Sequence, residues 1–267
     1  MSDSASGSPR VERSVPRDLL KGLRWDDPHI TEARRVLQAL AREAEPAGRR
    51  VFLVTSALLG EGKSTLCALL GLVAARMSRR RVLLIDADVR RPSLAGLLGL
   101  PSRPGLYEAM YGGVPISELI RSTALPTLFA LPSGSLPGEI AREPMVEETF
   151  RNTIEKLRES YDLIIVDGPP ILAVADSLVM ASAVDGVLLV VLAGRTPLAV
   201  IRQMRHLLKP LESKIQGIIL NNVTRSLPYY YDYRYYGYPP TTYHTSPGPA
   251  ATTPANGGSE PAKGQKG

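Results

Sequence analysis

Between an apolar run, Val51–Thr55 (VFLVT), and an apolar stretch with helical spacing, Thr65–Met77, the chain places ALLGEGKS, Ala57 to Ser64. No other segment restricts the fold as much. Glycines at 60 and 62 let the backbone curl so that successive N–H groups face one point. The helix that opens at the end of the loop adds its positive end there. The stretch follows G-x-x-x-x-G-K-[ST], with Ala57 at the first glycine, and it has the strand-before, helix-after context that gives the pattern meaning. Such a loop cradles phosphates. Lys63 would reach the β- and γ-phosphates, and Ser64 would offer its hydroxyl to magnesium. Gly60, Glu61, Gly62, Lys63, Ser64 and Thr65 are the candidate nucleotide-binding residues.

The rest of the chain alternates in the same way. Ile30 to about Glu43 carries apolar residues at Ile30, Ala33, Val36, Leu37 and Leu40, a helical spacing. Apolar runs at Val82–Asp86, Thr127–Leu131, Asp162–Asp167, Val187–Leu192 and Gly217–Leu220 read as strands. Helical segments are expected over Met145–Ser160, Asp176–Ala183 and Leu198–Leu208. Continuous apolar strands mark a parallel sheet covered on both faces. The fold class is therefore α/β, a three-layer P-loop domain with a mainly parallel sheet. Its ligands belong beyond the carboxyl ends of the strands.

Those ends carry acidic residues. The second strand ends in Asp86-Ala87-Asp88-Val89-Arg90-Arg91, and two carboxylates at i, i+2 would point the same way. Like charges held together are costly without a cation between them, and magnesium takes hard oxygen ligands. The fourth strand ends in Asp167, a second candidate magnesium contact. The sixth ends in Asn221-Asn222. Asn221 either reads an adenine edge through its amide or is an ordinary turn residue.

Totals bound the remainder. No apolar run approaches the roughly 18 residues of a membrane span, and the polar N-terminus has no apolar signal core. The single cysteine, Cys67, leaves no internal disulfide framework. Three scattered histidines make a Cys/His zinc site implausible. These features predict a cytoplasmic protein. The net charge of +6 comes from 32 basic and 26 acidic residues that are interspersed. No nucleic-acid reader motif accompanies that charge, so no nucleic-acid partner is expected. Three regions follow: a polar, disordered segment 1–25, a P-loop domain 26–225, and a disordered tail 226–267. Eight of the eleven tyrosines lie in that tail: Tyr229, Tyr230, Tyr231, Tyr233, Tyr235, Tyr236, Tyr238 and Tyr243.

The segments SALLGEGKST, DADVRRP and YDLIIVDGPPILAVADSLVMASAVDGVLLVV resemble the bacterial tyrosine kinases, P-loop enzymes unrelated to the eukaryotic kinases. The resemblance covers about Ile30 to Val223, and the tyrosine-rich tail fits it too. It implies an ATP-dependent protein-tyrosine kinase that uses ATP and Mg2+, autophosphorylates its tail, and acts in capsule or exopolysaccharide production. It also implies roles. Lys63 would bind phosphate, Ser64 and Asp88 would serve magnesium, and Asp167 would hold the metal through water. Asp86 would act near the acceptor hydroxyl, and Arg90 completes the Asp-x-Asp-x-Arg element. The eight tail tyrosines would be phosphoacceptors. A membrane polysaccharide co-polymerase would be the activating partner and would recruit the chain to the inner face of the membrane.

Self-assembly is implied by the family's Glu-x-x-Arg-x-x-Arg pattern, present here as Glu32 and Arg35, with Gln38 in place of the last arginine. Leu59 stands where the family usually has proline. The alternatives are a partition or site-selection switch ATPase and a nucleotide-binding scaffold. The first class carries an extra lysine five residues before the invariant one, and that position here is Leu58. The intact Lys63, Asp86, Asp88 and Asp167 argue against the second.

Overall fold

A computed structural model describes residues 24–25, 27–78, 80–135 and 145–223. The tail and most of segment 1–25 lie outside the described residues. The chain runs through α1 (Pro28–Ala44), β1 (Val51–Ser56), α2 (Lys63–Ser78) and β2 (Val82–Asp86). Three short helices follow, α3 (Leu94–Leu97), α4 (Leu106–Tyr111) and α5 (Ile116–Leu119), then β3 (Arg121–Ser122) and β4 (Leu128–Leu131). The remainder is α6 (Glu147–Arg158), β5 (Leu163–Asp167), α7 (Asp176–Ala183), β6 (Gly186–Leu192), α8 (Leu198–Leu208), a 3-10 turn (Lys209–Lys214) and β7 (Ile215–Asn221).

The strands form one sheet in the order β3-β4-β2-β5-β1-β6-β7. Every pairing is parallel except β3 with β4. Because side chains alternate along a strand, each central strand feeds two cores. Leu53, Leu83, Ile85, Ile164, Val166 and Leu189 pack under α6, α7 and α8, against Phe150, Ile154, Met180, Met204 and Leu208. Phe52, Val54, Leu84, Ile165 and Val190 pack under α1 and α2, against Ile30, Leu40, Leu70 and Val73. This is why β1, β2, β5 and β6 read as unbroken apolar runs: every residue in each is buried.

Helices α7 and α8 occupy the expected spans. Helix α6 begins at Glu147, where Glu147 and Glu148 meet its positive end and Lys156 and Arg158 its negative end. Helices α3, α4 and α5 and strand β3 were not foreseen, because elements of two to six residues hold too little period to detect. Trp25 was assigned to the polar N-terminal segment, yet it packs on the domain. The Arg76 guanidinium lies 4.0 Å from the centre of its ring, a cation–π contact. Arg76 also stands in the last turn of α2, where a cation favours the helix dipole. Its neighbours also have partners: Arg80 pairs with Glu45, and Arg81 lies over Phe129 and Tyr161.

Candidate active site

Three adjacent strands, β2, β5 and β1, bring the predicted site residues to one edge of the sheet. Gly60 and Gly62, at φ +76° and +93°, make the left-handed turns that the loop after β1 requires. Helix α2 begins at Lys63, a lysine only 6% exposed. Ser64 and Thr65 are half-buried at its first turn. The loop is bolted on both sides. The Ser56 hydroxyl donates to the Leu58 carbonyl at 2.7 Å. The Glu61 carboxylate accepts from the Leu58 N–H at 2.7 Å, from the Thr196 hydroxyl, and from the Leu192 N–H at 3.4 Å.

Glu61 is thus turned away from the cradle, into the end of β6. Its side chain positions the loop, and only its backbone is left to face a phosphate. Asn221 also turns toward the loop. Its Nδ2 donates to the Glu61 carbonyl at 2.8 Å, its Oδ1 accepts from the Asn222 N–H at 2.8 Å, and the amide fills the space a side chain at Gly62 would need.

The carboxylates are arranged differently from the simple i, i+2 expectation. Asp86 and Asp167 are direct partners across the β2–β5 ladder, and both are fully buried. They are the side-by-side pair. Asp88 lies past the end of β2, so strand alternation no longer governs it. Its N–H donates to Asp86 Oδ1 at 3.2 Å, and its own Oδ1 accepts from the Arg91 N–H at 3.0 Å. Asp86 Oδ2 accepts from the N–H groups of Ser93 and Leu94, each at 3.0 Å. Asp86 therefore holds the turn and the start of α3 as well as facing Asp167. Arg90 is exposed at the rim.

Burial, and then the neighbouring Asp167, push the Asp86 carboxyl well above the usual carboxylate range. Asp167 is raised too, chiefly by burial, while the Ser64 hydroxyl and the Lys63 ammonium pull it back. Neither Asp167 oxygen has a hydrogen-bond partner of normal geometry among the described residues. A buried carboxylate with both oxygens open, beside a serine hydroxyl, fits a hard divalent cation. Among the described residues no three His, Cys, Asp or Glu side chains close on one point. Magnesium in nucleotide sites does not require that, since phosphates and waters complete its shell.

Sequence reasoning missed the residues that fix this geometry at long range. The Thr55 and Ser177 hydroxyls both donate to the Pro169 carbonyl at 2.7 Å, and the Gly168 N–H donates to Val54 at 3.0 Å. These bonds lock the turn after Asp167 against β1. Thr196 does the same for Glu61 across 135 positions of sequence. No local signal marks such residues.

One set of predicted residues lies apart from the site. Glu32 and Arg35 pair with each other on exposed α1, at 2.8 Å. The eight tail tyrosines fall outside the described residues. The three remaining tyrosines belong to the domain: Tyr107 and Tyr161 are buried, and Tyr111 stacks 5.8 Å from Tyr107. Burial pushes the Tyr107 and Tyr161 hydroxyls up.

A glycine loop and helix end facing a buried aspartate pair, all at the carboxyl edge of a parallel sheet, define a P-loop nucleotide-binding domain. The family described as an AAA domain matches residues 51–223. The tyrosine-protein kinase CpsD of Streptococcus agalactiae is 35% identical over 189 residues, covering 70% of this chain and 82% of that protein. The succinoglycan biosynthesis transport protein ExoP of Rhizobium meliloti is 33% identical over 216 residues, covering 79% of this chain but 27% of that protein. Among solved structures, the kinase domain of the Escherichia coli tyrosine kinase ETK superposes with a TM-score of 0.70 at 26% identity, covering 80% of this chain and 84% of that one. The chain belongs to the bacterial tyrosine-protein kinase family. Its match spans most of the shorter relative and about a quarter of the longer one. No helix among the described residues is long and apolar enough to cross a membrane.

Proposed function

We propose that this protein is an ATP- and Mg2+-dependent tyrosine kinase that phosphorylates its own C-terminal tyrosine cluster, between molecules, and thereby regulates exopolysaccharide or capsule synthesis or export. The observation that carries the reading is the open, buried Asp167 carboxylate beside Asp86 and the Lys63 loop. Names of relatives that are tyrosine kinases or polysaccharide transport proteins support it.

In this reading the backbone from Gly60 to Thr65 holds the phosphates, and Lys63 bears on the transferring group. Ser64, Asp88 and Asp167 would hold magnesium, which supplies charge neutralisation at the phosphates when bound. The acceptor phenol has a pKa near 10 and must lose its proton as its oxygen attacks. The bond between the γ-phosphorus and the bridging oxygen breaks, the phenolic oxygen–phosphorus bond forms, and the phenolic proton passes to Asp86. A carboxyl raised by burial is suited to share that proton. Arg90, at the rim, faces the entering segment. The domain's own tyrosines are packed against it, so the acceptors are those of the tail.

Asn221 serves chiefly as a clamp on the loop, with an adenine contact as its second role. Glu32 and Arg35 form the self-assembly surface. A membrane co-polymerase supplies an activating cytoplasmic segment and recruits the otherwise cytoplasmic chain. Leu58, 39% exposed, lacks the charge that a switch ATPase would place there.

The test incubates purified protein with magnesium and labelled ATP, with and without a co-polymerase cytoplasmic segment, and maps phosphate by mass spectrometry. Phosphotyrosine between 229 and 243 is expected. ATP hydrolysis with no phosphotyrosine under any condition would favour a switch ATPase.

A further inference from the structure

Helix α8 carries Arg202, Arg205 and His206, and the following turn begins with Lys209. The spacing i, i+3, i+4, i+7 sets all four on one helical face. They line a concavity of about 430 Å³, with Glu212 on its rim and Ile215 at the start of β7. Helix α8 crosses between the parallel strands β6 and β7. Its last turn, and this concavity, therefore lie at the opposite end of the sheet from the Lys63 loop.

The charge here is unbalanced, in contrast to three arginines elsewhere on the surface. Arg35, Arg151 and Arg158 all pair with carboxylates. Helix α8 has no acidic residue. Glu212 reaches Arg205 only loosely, at 3.7 Å, and Arg202 and Lys209 make no ion pair among the described residues. Cations in a last helical turn favour the helix dipole, which accounts for Arg205 and His206. Arg202 lies a turn earlier, and like charges at these spacings repel. Arg202 therefore gains nothing from the dipole, and a stripe of one sign is suited to an anionic ligand.

We infer that this concavity binds aryl phosphate, specifically the phosphotyrosines of this protein's own tail. Arginine forks match phosphate oxygens in two-point contacts. Ile215 gives the ring an apolar wall. Each phosphotyrosine adds about −1.5 to −2 charge, so the tail becomes strongly anionic. Its reach is sufficient. Strand β7 spans roughly 20 Å at about 3.3 Å per residue. Tyr229 is eight positions beyond Asn221, roughly 26–29 Å of extended chain. Tail tyrosines can therefore return to their own concavity, or enter that of a second copy. The exposed Ile218 and Leu220 of β7 lie along that route. The inference rests on the tail being the phosphoacceptor, and deepens that reading by giving the product a receiving site.

The test measures binding of two fluorescent peptides of residues 226–243, one phosphorylated at Tyr229, Tyr231 and Tyr233 and one unmodified, to dephosphorylated full-length protein. The phosphopeptide should bind at least tenfold tighter. Arg202→Gln with Arg205→Gln and Lys209→Gln should remove most of that preference and leave ADP affinity unchanged, with circular dichroism confirming the fold. Free phenyl phosphate should compete. Equal binding of the two peptides, or an unchanged preference in the triple variant, overturns the site. Vesicles rich in phosphatidylglycerol form a second arm. Loss of vesicle binding in the triple variant, without any peptide preference in the wild type, would make the stripe a membrane surface and overturn the inference. Synthetic phosphopeptide keeps the two readings separable. Binding without kinase activity spares the site and sinks the kinase, whereas tail labelling without binding does the reverse.

Discussion

The side-chain amide of Asn221 donates to the backbone carbonyl of Glu61 at 2.8 Å, tying the last strand of the sheet to the phosphate loop 160 positions earlier. One neutral hydrogen bond contributes about 0.5–1.5 kcal/mol. Asn221→Ala should therefore weaken nucleotide affinity by roughly 2- to 13-fold. Titration with ATP and with inorganic tripolyphosphate separates its two roles. A clamp on the loop weakens both ligands alike, while an adenine contact weakens only ATP. No change with either would remove Asn221 from the site.

Lys63→Met should abolish phosphotyrosine formation with little change in the fold. The ammonium of this nearly buried lysine acts on the Asp167 carboxyl, whose proton affinity it lowers. Labelling with radioactive ATP checks activity, and thermal melting checks folding. Near-normal labelling by the mutant would defeat the kinase assignment.

Asp88→Asn and Asp86→Asn should fail differently. Asp88→Asn removes a metal-facing charge and should mainly weaken magnesium-nucleotide binding. Asp86 accepts three backbone N–H groups. An amide there turns one acceptor into a donor facing donors, which also disturbs the turn that carries Asp88. Asp86→Asn should lower both affinity and turnover, and lower the melting temperature more than Asp88→Asn does. Equal melting temperatures would contradict this assignment of the turn.

Stability should fall with rising pH in the ligand-free protein. Burial holds both the Asp86 and the Asp167 carboxyl well above the ordinary carboxylate range when folded, and so above the value of about 4 for an unfolded chain. Between the unfolded value and the raised folded ones the native state holds more protons than the unfolded state, so stability declines as pH climbs from about 4 through neutrality. Magnesium-ADP favours the ionised carboxylates, and its stabilising effect should grow over the same range. Thermal melts at pH 6 and pH 8 check this. The ligand-induced rise should be larger at pH 8, and Asp167→Asn should flatten the difference. A rise that is identical at both values would count against carboxylate involvement.

Transfer to the tail should occur between molecules. Tyr229 follows Leu220 by only nine positions, and Asn221 already lies against the phosphate loop, so the first tyrosines would have to double back sharply within a short span to enter their own site. An active chain truncated after Ser226, mixed with a full-length Lys63→Met chain, should label the inactive chain's tail. If that tail stays unlabelled while wild-type tails label normally, transfer is within one molecule.

The chemistry of the site was legible in the sequence because it is local. The loop from Gly60 to Thr65, the Asp86 turn and the apolar strands each declare themselves within ten residues. Which strands are neighbours is not local information. The pairing of Asp86 with Asp167, rather than with Asp88, follows from β5 lying between β2 and β1, and no spacing in the chain encodes that order. The inward turn of Glu61 depends on Thr196, an ordinary threonine until the fold brings it over. Trp25 illustrates a different limit. Composition placed it in a polar segment, but one aromatic ring under Arg76 is enough to hold a residue on the domain.

The strand order also separates two kinds of selective constraint. The proposed phosphate-transfer residues Asp86 and Asp167 end β2 and β5, and the Lys63 loop follows β1, three interior strands where each substitution disturbs packing on two faces. The chain that leads to the proposed acceptors departs from β7, at the border of the sheet, where Ile218 and Leu220 are exposed. Changes beyond that border cost the interior little. On the proposed reading, tyrosines could be gained, lost or respaced there while the transferring machinery stays fixed, so the number of phosphates the tail counts could change without the chemistry being relearned.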